Sequence, residues 1–338
     1  MAFYDDEELA QLRIIRSIFH IVGPLRESLK LLGEFNVGQM EDFFLGRIKS
    51  VNGGNRYRFL PDSPVRTQLS RIRDDLGTFQ VESENLASAY NGKHGGSSNG
   101  AYIVFVLQSP LGVSFALLKF DDERVLSYSY DDGLDGRPVP RFGEFQQTFV
   151  QNREALQKAV LIRLETDDDD AEVCVVDRQN PSKPARYFED YLLVRRERDE
   201  INITETAKKV AIAVFKRHKD LFSDDVKTNF QIRLFESSQG GAEIRGEQPE
   251  LWFQTIVGDL TDKPEVLKTL NSELKKNRLD GESFRLSPNV LPRPTVRKIE
   301  TNRGIKLIVP QDANDVIEID KDNGRITIRD NFTIAVEA

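Results

Sequence analysis

The stretch that decides the fold is AYIVFVLQSPLGVSFALLKFDD, residues 101–122. Its two apolar runs, 101–109 and 114–122, are joined by the turn-forming sequence Pro-Leu-Gly, so the pattern predicts a β-hairpin. The runs are continuous rather than alternating, which is typical of strands that are covered on both faces. We therefore expect a buried sheet at the centre of the first half of the chain.

Further strands continue this sheet. VLSYSYDD at 125–132 adds a third strand, and AVLIRLE at 159–165 and EVCVVDR at 172–178 add two more. Four consecutive aspartates, Asp167–Asp170, separate the last two and predict an exposed turn, because neighbouring carboxylates repel one another. The sequence NGKHGGSSNG at 91–100 predicts a linker.

Segments with apolar residues three and four positions apart predict amphipathic helices. In EELAQLRIIRSIFHIVG, residues 7–23, the apolar stripe consists of Leu9, Leu12, Ile15, Phe19 and Val22. VRTQLSRIRDDL at 65–76 and ESENLASAYNGK at 82–93 predict two more helices, the second with Ser83 as its N-cap.

The character of the sequence changes at Ala185. Residues 185–222 predict helix, with one apolar face formed by Ala207, Val210, Ala211, Val214, Phe215 and His218. PEVLKTLNSELKKN at 264–277 predicts another helix, and TVRKIE, GIKLIVP, VIEIDK and RITIRD then alternate with a two-residue period and predict a closing β-meander. The expected fold is α+β in two domains, an N-terminal mixed sheet with helices at 1–184 and helices plus the β-meander at 185–338.

Composition and charge exclude several classes of protein. The 338 residues are 39% apolar and 30% charged, as in ordinary globular chains. Cys174 is the single cysteine, so an internal disulfide framework is excluded. An acidic N-terminus argues against a signal peptide, and no apolar run approaches the roughly 20 residues that span a bilayer. We expect a cytoplasmic protein without a membrane span.

The sequence does not support naming a catalytic constellation. Three histidines lie in separate elements without a His or Cys at metal-ligand spacing, namely His20, His94 and His218. His20 and His218 fall in predicted helices, where packing or capping is the expected role. The position of Cys174 between two valines favours an inert, buried thiol. A metal-dependent nuclease is the enzyme alternative, and the acids near strands that it would use are Glu172, Glu318 and Asp320, the last followed by Lys321. We predict a binding role with no metal or other cofactor.

The basic residues are concentrated in one segment. Residues 263–306 contain eleven Lys or Arg and five Asp or Glu, a local charge of +6 that leaves −14 for the rest of the chain. A basic segment on an acidic body is typical of a localised contact to phosphates, which gives affinity without base preference. The candidate DNA-binding residues are Lys275, Lys276, Arg278, Arg285, Arg293, Arg297, Lys298, Arg303 and Lys306.

Other interpretations of these charges stay open. The first three candidates end a predicted helix, where cations complement the helix dipole. Cations at strand edges also prevent edge-to-edge aggregation, and an uneven solvated face is the simplest alternative. A second cluster, Arg195, Arg196 and Arg198, adjoins acidic residues and is interpreted as a solvated helix face.

Six segments carry a family resemblance: IIRSIFHIVG (14–23), EDFFLGRIKSVNGGNRYRFLPDSPV (41–65), FQVESENLASAY (79–90), NGAYIVFVLQSPLGVSFALLKF (99–120), ARYFEDYLLVRRERDEINITETAKKVAIAV (185–214) and RGIKLIVPQDANDVIEIDKDNGRITIRD (303–330). Together and in this order they resemble the bacterial nucleoid-associated protein family of the NdpA type. The run of Tyr187, Phe188 and Tyr191 and the closing β-rich segment weigh most. The resemblance implies a nucleoid-associated DNA-binding protein without an established catalytic activity or cofactor.

The expected function is non-catalytic binding of double-stranded DNA with weak sequence specificity. We expect the chain to form a homo-oligomer and to bind DNA-associated proteins as well. Two apparent insertions, at 91–100 and 167–170, and the divergent region 223–260 depart from the family. They leave a second hypothesis open, in which the chain is a DNA-binding or DNA-sensing component of a bacterial defence system against phage or plasmids. In one version of this hypothesis the component is a metal-dependent nuclease. An adaptor that contacts basic proteins through the acidic body is a third.

Overall fold

The computed structural model describes residues 2–93, 99–121, 123–132, 138–148, 156–164, 171–301, 303–320 and 323–331. Its helices are α1 (Asp6–Gln11), α2 (Glu41–Lys49), α3 (Pro64–Asp74), α4 (Phe79–Lys93), α5 (Arg186–Leu192), α6 (Glu200–Arg217), α7 (Asp224–Glu236), α8 (Pro249–Val257) and α9 (Pro264–Lys276).

The strands are β1 (Arg13–Val22), β2 (Asn55–Phe59), β3 (Gly100–Ser109), β4 (Gly112–Asp121), β5 (Glu123–Asp132), β6 (Pro138–Thr148), β7 (Leu156–Leu164), β8 (Ala171–Asp177), β9 (Val194–Arg196), β10 (Glu243–Ile244), β11 (Phe284–Arg285), β12 (Val296–Glu300), β13 (Lys306–Pro310), β14 (Ile317–Asp320) and β15 (Arg325–Ile328). Helices occur together with antiparallel sheets, which confirms the predicted α+β class.

Seven strands form one antiparallel sheet in the order β1-β3-β4-β7-β8-β2-β9. β3 and β4 pair from Gly100 opposite Asp121 to Ser109 opposite Gly112, which confirms the predicted hairpin. Tyr102, Val104 and Val106 of β3 face a core covered by α3, α4 and α5. The alternate residues, such as Ile103 and Phe105, face a second core covered by α1 and α2. Both faces of the central strands are therefore buried, as their continuous apolar sequence predicts.

The helix predicted for residues 7–23 is wrong beyond its first turns. α1 ends at Gln11, and Arg13–Val22 form β1, which pairs with β3 so that Ile18 lies opposite Val104. The predicted stripe combined residues of two different elements, because Leu9 belongs to α1, Leu12 caps that helix, and Ile15, Phe19 and Val22 belong to β1. Five of the ten residues of β1 are Ile or Val, whose branched side chains favour strands.

Three further predictions need correction. β5 pairs with β6 in a separate two-stranded sheet and does not extend the central one. α4 begins at Phe79, so Ser83 is a buried residue inside the helix and not its N-cap. The helix predicted for 185–222 is interrupted, because Leu193 adopts a left-handed conformation (φ 51°) and β9 follows it. The linker residues 94–98 and Asp167–Asp170 lie outside the described residues.

The second half of the chain has its own helical core. Ala207, Val210, Ala211 and Val214 of α6 are buried against residues of α7, α8 and α9, which confirms the predicted apolar face. His218, the last member of that face, is half-buried and caps α6. Its Nε2 lies 2.8 Å from Oγ1 of Thr269 on α9. The hydrogen bond ties the end of α6 to the middle of α9.

Two separate hairpins replace the predicted β-meander. β12 pairs with β13 and β14 with β15, and a short 3-10 stretch, Gln311–Val316, connects them. Most described residues of these hairpins are exposed or half-buried, and Val309 is the exception at 3% exposure.

The two halves meet at a polar junction. The buried Asn55 of β2 donates from Nδ2 to the carbonyl of Pro181, 2.8 Å away, and accepts from the backbone N–H of Ser283 at 2.7 Å. Gly281 packs so closely on Gly53 that a Cβ on Gly281 would lie 2.3 Å from the carbonyl oxygen of Gly53. The junction is therefore fixed by direct backbone contact.

The predicted domain boundary at residue 184 divides the N-terminal core. α5 and β9 follow this boundary, yet Phe188, Tyr191 and Val194 pack into the core beneath the seven-stranded sheet. β9 also pairs with β2, as the last strand of that sheet. Among the described residues, none of the helices combines the length and the apolar character needed to cross a bilayer.

Candidate nucleic-acid interface

The C-terminal end of α9 presents the first three candidate residues. Val266, Leu270 and Leu274 anchor the buried face of the helix, while Lys275 and Lys276 are exposed in its last turn. Arg278 follows with a left-handed backbone (φ 56°) and an exposed side chain. Cations in this position complement the partial negative charge at the helix end, so the dipole interpretation of these residues fits the structure too.

The next two candidates lie on the short hairpin and the connector that follow α9. Arg285 is exposed on β11, opposite Glu243 of β10 in register, so a carboxylate shares its side of the hairpin. Arg293 is exposed in the proline-rich connector before β12. Neither residue is held in a buried network.

The β12–β13 hairpin carries the last four candidates. Arg297 and Lys298 lie opposite Val309 and Ile308 in register, and their side chains lie outside the described residues. Arg303, at the turn, and Lys306, at the start of β13, are exposed. The structure thus distributes the nine candidates over a helix end, a short hairpin, a connector and a second hairpin. It does not gather them into one cleft.

Both inside and outside this segment, some exposed cations form ion pairs with carboxylates of described residues and others, such as Arg26, Lys30 and Lys209, do not. No carboxylate of a described residue lies within 4.0 Å of five exposed candidates, which are Lys275, Arg278, Arg285, Arg293 and Arg303. Lys276 lies 4.0 Å from Glu273. Outside the segment many arginines form close ion pairs, such as Arg16 with Glu34, Arg71 with Glu82, Arg163 with Glu8, Arg196 with Glu282 and Arg233 with Asp225.

The second basic cluster is not a solvated helix face, as the sequence suggested, but an edge strand and the turn after it. Arg196 of β9 donates to the carbonyls of Ser182 and Ser283 and to the carboxylate of Glu282, at 2.8 to 2.9 Å. Arg198 donates to the carbonyl of Asn277 at 2.9 Å. These two arginines therefore connect the sheet to the helical unit.

Arg195, by contrast, points away from this junction. It lies opposite Arg58 of β2 in register, and both arginines line a cavity of about 730 Å³ together with Arg66 of α3. Sequence reasoning missed this grouping because the three arginines are far apart in the chain. The local signal is limited to the alternation in NRYRF, which places Arg58 on the face of the strand opposite to Tyr57 and Phe59.

The acids considered for a nuclease do not converge. Glu318 lies 2.9 Å from Arg329, and Asp320 accepts hydrogen bonds from Asn323 in the turn after β14. Glu172 lies on β8, 3.3 Å from Arg163, and Lys321 lies outside the described residues. Among the residues that the structure describes, no three His, Cys, Asp or Glu side chains are grouped as metal ligands.

His20 and Cys174 are buried in the N-terminal unit. His20 lies on β1 and not in a helix as predicted, and its Nδ1 accepts from the backbone N–H of Leu32 at 3.1 Å. The ring proton is therefore on Nε2, 3.3 Å from Oγ of Ser83, and burial lowers the pKa of His20 to about 4. Burial likewise raises the pKa of the Cys174 thiol to about 11, and the thiol donates to the carbonyl of Val51. Both groups are in their neutral forms at neutral pH. His94 lies outside the described residues.

No protein-family model matches this chain, and no curated protein matches it in a sequence search. The resemblance to the nucleoid-associated family therefore stays a prediction from the sequence.

Proposed function

We propose that this chain binds double-stranded DNA through residues 263–306, with weak sequence specificity and without catalysis. The observation that supports the proposal is the set of five exposed cations with no described carboxylate within 4.0 Å, in a segment whose local charge is +6. Cations already paired with carboxylates would have to exchange one anion for another. Unpaired and exposed cations can meet DNA phosphates at lower cost.

The arrangement of the cations favours backbone contact over base reading. Base reading in the major groove needs side chains aligned on one helix or ribbon that enters the groove. Here the candidates are spread over four separate elements, and α9 carries three cations, Lys268 in its second turn and Lys275 and Lys276 in its last. Contacts to phosphates need no such alignment and give affinity without sequence information.

The acidic remainder of the chain supports a localised contact. With −14 outside the segment, the rest of the chain carries a net charge that disfavours a polyanion, so we expect DNA contacts to concentrate on the basic segment. This geometry predicts that affinity depends on a few identified cations and not on the total charge.

A charge-matched comparison tests the proposal. In the full-length chain, Arg293, Arg297, Lys298 and Arg303 are replaced by Ala, and binding to a short fluorescent duplex is measured by anisotropy. We expect affinity to fall by at least about tenfold, because several phosphate contacts are lost together. The control replaces Arg26, Lys30, Lys209 and Arg217, which are exposed outside the segment, with the same change in net charge. An equal loss in both variants would refute the assignment to residues 263–306.

The same samples test the absence of catalysis. Duplex and single-stranded DNA are incubated with the chain and with Mg²⁺, Mn²⁺ or Zn²⁺, and the products are separated by length. We expect the DNA to stay intact. Metal-dependent cleavage that survives purification and is lost on Glu318→Gln or Asp320→Asn would establish the nuclease alternative instead. The roles in the nucleoid or in defence, and the homo-oligomer, remain predictions.

A further inference from the structure

A cavity of about 570 Å³ lies where the N-terminal unit meets the helical unit. Val175 and Val176 of β8 line it on one side with Pro181, and Gly246 and Gln248, which lead into α8, line it on the other. Small-molecule sites have volumes of about 300–1,000 Å³ and are frequent between structural units. The size and the position of this cavity therefore fit a small organic ligand.

Arg178 indicates the chemistry of that ligand. It directly follows β8, where its backbone N–H donates to the carbonyl of Gln157 at 2.9 Å, and its half-buried side chain lines the cavity. The Nε of Arg178 is buried without a hydrogen-bond partner, and none of the described residues pairs with its guanidinium. A buried donor without an acceptor is unfavourable, so a ligand that supplies an acceptor would be stabilised here. A guanidinium fits phosphate and carboxylate oxygens best, because its parallel N–H donors match their geometry.

The other charged side chains of the cavity favour a single anionic group. Asp177 lines the cavity, but Nζ of Lys158 lies 2.6 Å from it and compensates its charge. Arg245 adds a second, exposed cation, which lies 3.6 Å from Glu243. Glu247 is the other carboxylate among the described lining residues, and it is exposed. Its charge would repel a highly charged ligand such as a polyphosphate.

Neutral polar groups from both units surround Arg178. Gln179 comes next in the chain, and Gln248 is the N-cap of α8 without a side-chain capping hydrogen bond. The Oγ of Ser283 accepts from the backbone N–H of Gly246 at 2.9 Å, so its own proton is available to a ligand. Amide and hydroxyl groups can both donate and accept hydrogen bonds. A ligand in this cavity should therefore contact both units.

We propose that the junction cavity binds a small organic anion and that Arg178 holds its phosphate or carboxylate group. This site goes beyond the proposed DNA contact and does not use the cations of residues 263–306. Water is the competing partner of Arg178, because a half-buried guanidinium can be solvated through the cavity. A cavity that holds only water has no preference for an anion, so the two explanations predict different results.

Thermal unfolding of the full chain tests the preference for an anion. AMP carries one phosphate group and N-acetylleucine carries one carboxylate, and their controls are adenosine and N-acetylleucine amide, which lack the charge. All four are compared at equal ionic strength. We expect at least one of the two anions to raise the melting temperature and its uncharged control to leave it unchanged. The anion that stabilises the chain identifies the source as a phosphate or a carboxylate.

Variants of Arg178 locate the binding. Arg178→Gln should weaken the apparent Kd of the stabilising anion roughly tenfold, because a charge-assisted contact is lost. Arg178→Lys retains the charge but loses the paired donors, so its affinity should be intermediate. The matched control is Arg26→Gln, which removes an exposed arginine that does not line the cavity and should bind as the wild type does. The proposal is overturned if neither anion stabilises the wild type, or if Arg178→Gln and Arg26→Gln bind alike.

Hydrogen exchange of the wild type keeps the test decisive if Arg178→Gln fails to fold. The stabilising anion should slow exchange in residues 178–183 and in residues 245–251, because the walls of the cavity come from both units. Slower exchange that is confined to residues 263–306 would assign the anion to the C-terminal cations and would overturn the site. The variants that test duplex binding do not change the lining of this cavity, so failure of either proposal is distinguishable from failure of the other.

Discussion

The seven-stranded sheet and the C-terminal hairpins use similar residues in opposite ways. Ile103 and Phe105 of β3 have no exposed surface, whereas Ile305 and Ile308 of the β12–β13 hairpin are 59% and 65% exposed. Burial on two faces determines the conformation of the sheet, and few of its side chains can contact a ligand. The hairpins leave both apolar and charged groups in solvent. Four of the candidate DNA contacts, Arg297, Lys298, Arg303 and Lys306, therefore lie where burial constrains the structure least.

The largest effect is expected at the buried ion pair of the sheet. Asp177 accepts from Nζ of Lys158 at 2.6 Å and from the backbone N–H of Ala185 at 2.9 Å, and both charged side chains are almost fully buried. Asp177→Asn would leave the Lys158 charge buried without its carboxylate. We expect the free energy of unfolding to fall by about 3–5 kcal/mol, measured by urea denaturation.

The matched control is the exposed ion pair of the hairpins. Arg329 lies 2.9 Å from Glu318, but their side chains are 76% and 66% exposed. Arg329→Met should change the free energy of unfolding by less than about 1 kcal/mol. Equal effects of the two substitutions would contradict the contrast between the regions.

A smaller effect is expected at the junction that joins the two halves. Gly281→Ala would strain a backbone with φ +76° and drive the new Cβ into Gly53. We expect a loss of about 2–4 kcal/mol, measured by calorimetry, because steric clash adds to backbone strain. Gly304→Ala has a similar φ of +82° with no atom within 4 Å, so it isolates the strain and should cost about 1 kcal/mol. If Gly304→Ala costs as much as Gly281→Ala, close packing does not hold the junction.

Acid should destabilise the sheet through His20. Its pKa is about 4 in the folded chain and 6.5 ordinarily. Between these values the unfolded chain binds a proton that the folded chain excludes, so stability falls as the pH drops from 6.5 towards 4. The loss should be on the order of 2–3 kcal/mol by pH 4. Urea denaturation across this range should show a shallower fall in His20→Gln, and an unchanged slope would show that other groups dominate.

The smallest effect is expected for an apolar residue of the hairpins. Ile308→Thr should change the free energy of unfolding by less than about 0.5 kcal/mol, since Ile308 is mostly exposed. Ile103→Thr, the same change in the sheet, should cost about 2–4 kcal/mol because it buries a hydroxyl and opens a cavity. A large cost at Ile308 would indicate that another surface covers this hairpin.

The sequence predicted the fold best in segments whose apolar residues follow a single periodicity, either that of a strand or that of a helix. The β3–β4 hairpin, α9 and the buried face of α6 follow directly from their apolar patterns. β1 was mistaken for helix because its sequence, RIIRSIFHIV, has adjacent apolar pairs and no strict two-residue alternation. The interruption at Leu193 was missed because a left-handed backbone is usually marked by glycine, and leucine gives no such signal.

The two groups of basic residues also differ in how far the sequence predicts them. Charge density along the chain was enough to single out residues 263–306. The arginine cavity could not be predicted from it, because Arg58, Arg66 and Arg195 meet only after β2 pairs with β9 across more than a hundred residues. Pairing over such distances is set by the whole sheet and not by local sequence.

The salt dependence of duplex binding tests the central claim most directly. The logarithm of the association constant is measured against the logarithm of the salt concentration, between about 50 and 200 mM, for the wild type and for the variant with Arg293, Arg297, Lys298 and Arg303 replaced by Ala. We predict a steep linear decrease for the wild type and a slope that is shallower by up to about 0.9 for each lost contact in the variant. Wild-type binding that is absent, or a slope that the four substitutions leave unchanged, would contradict the account.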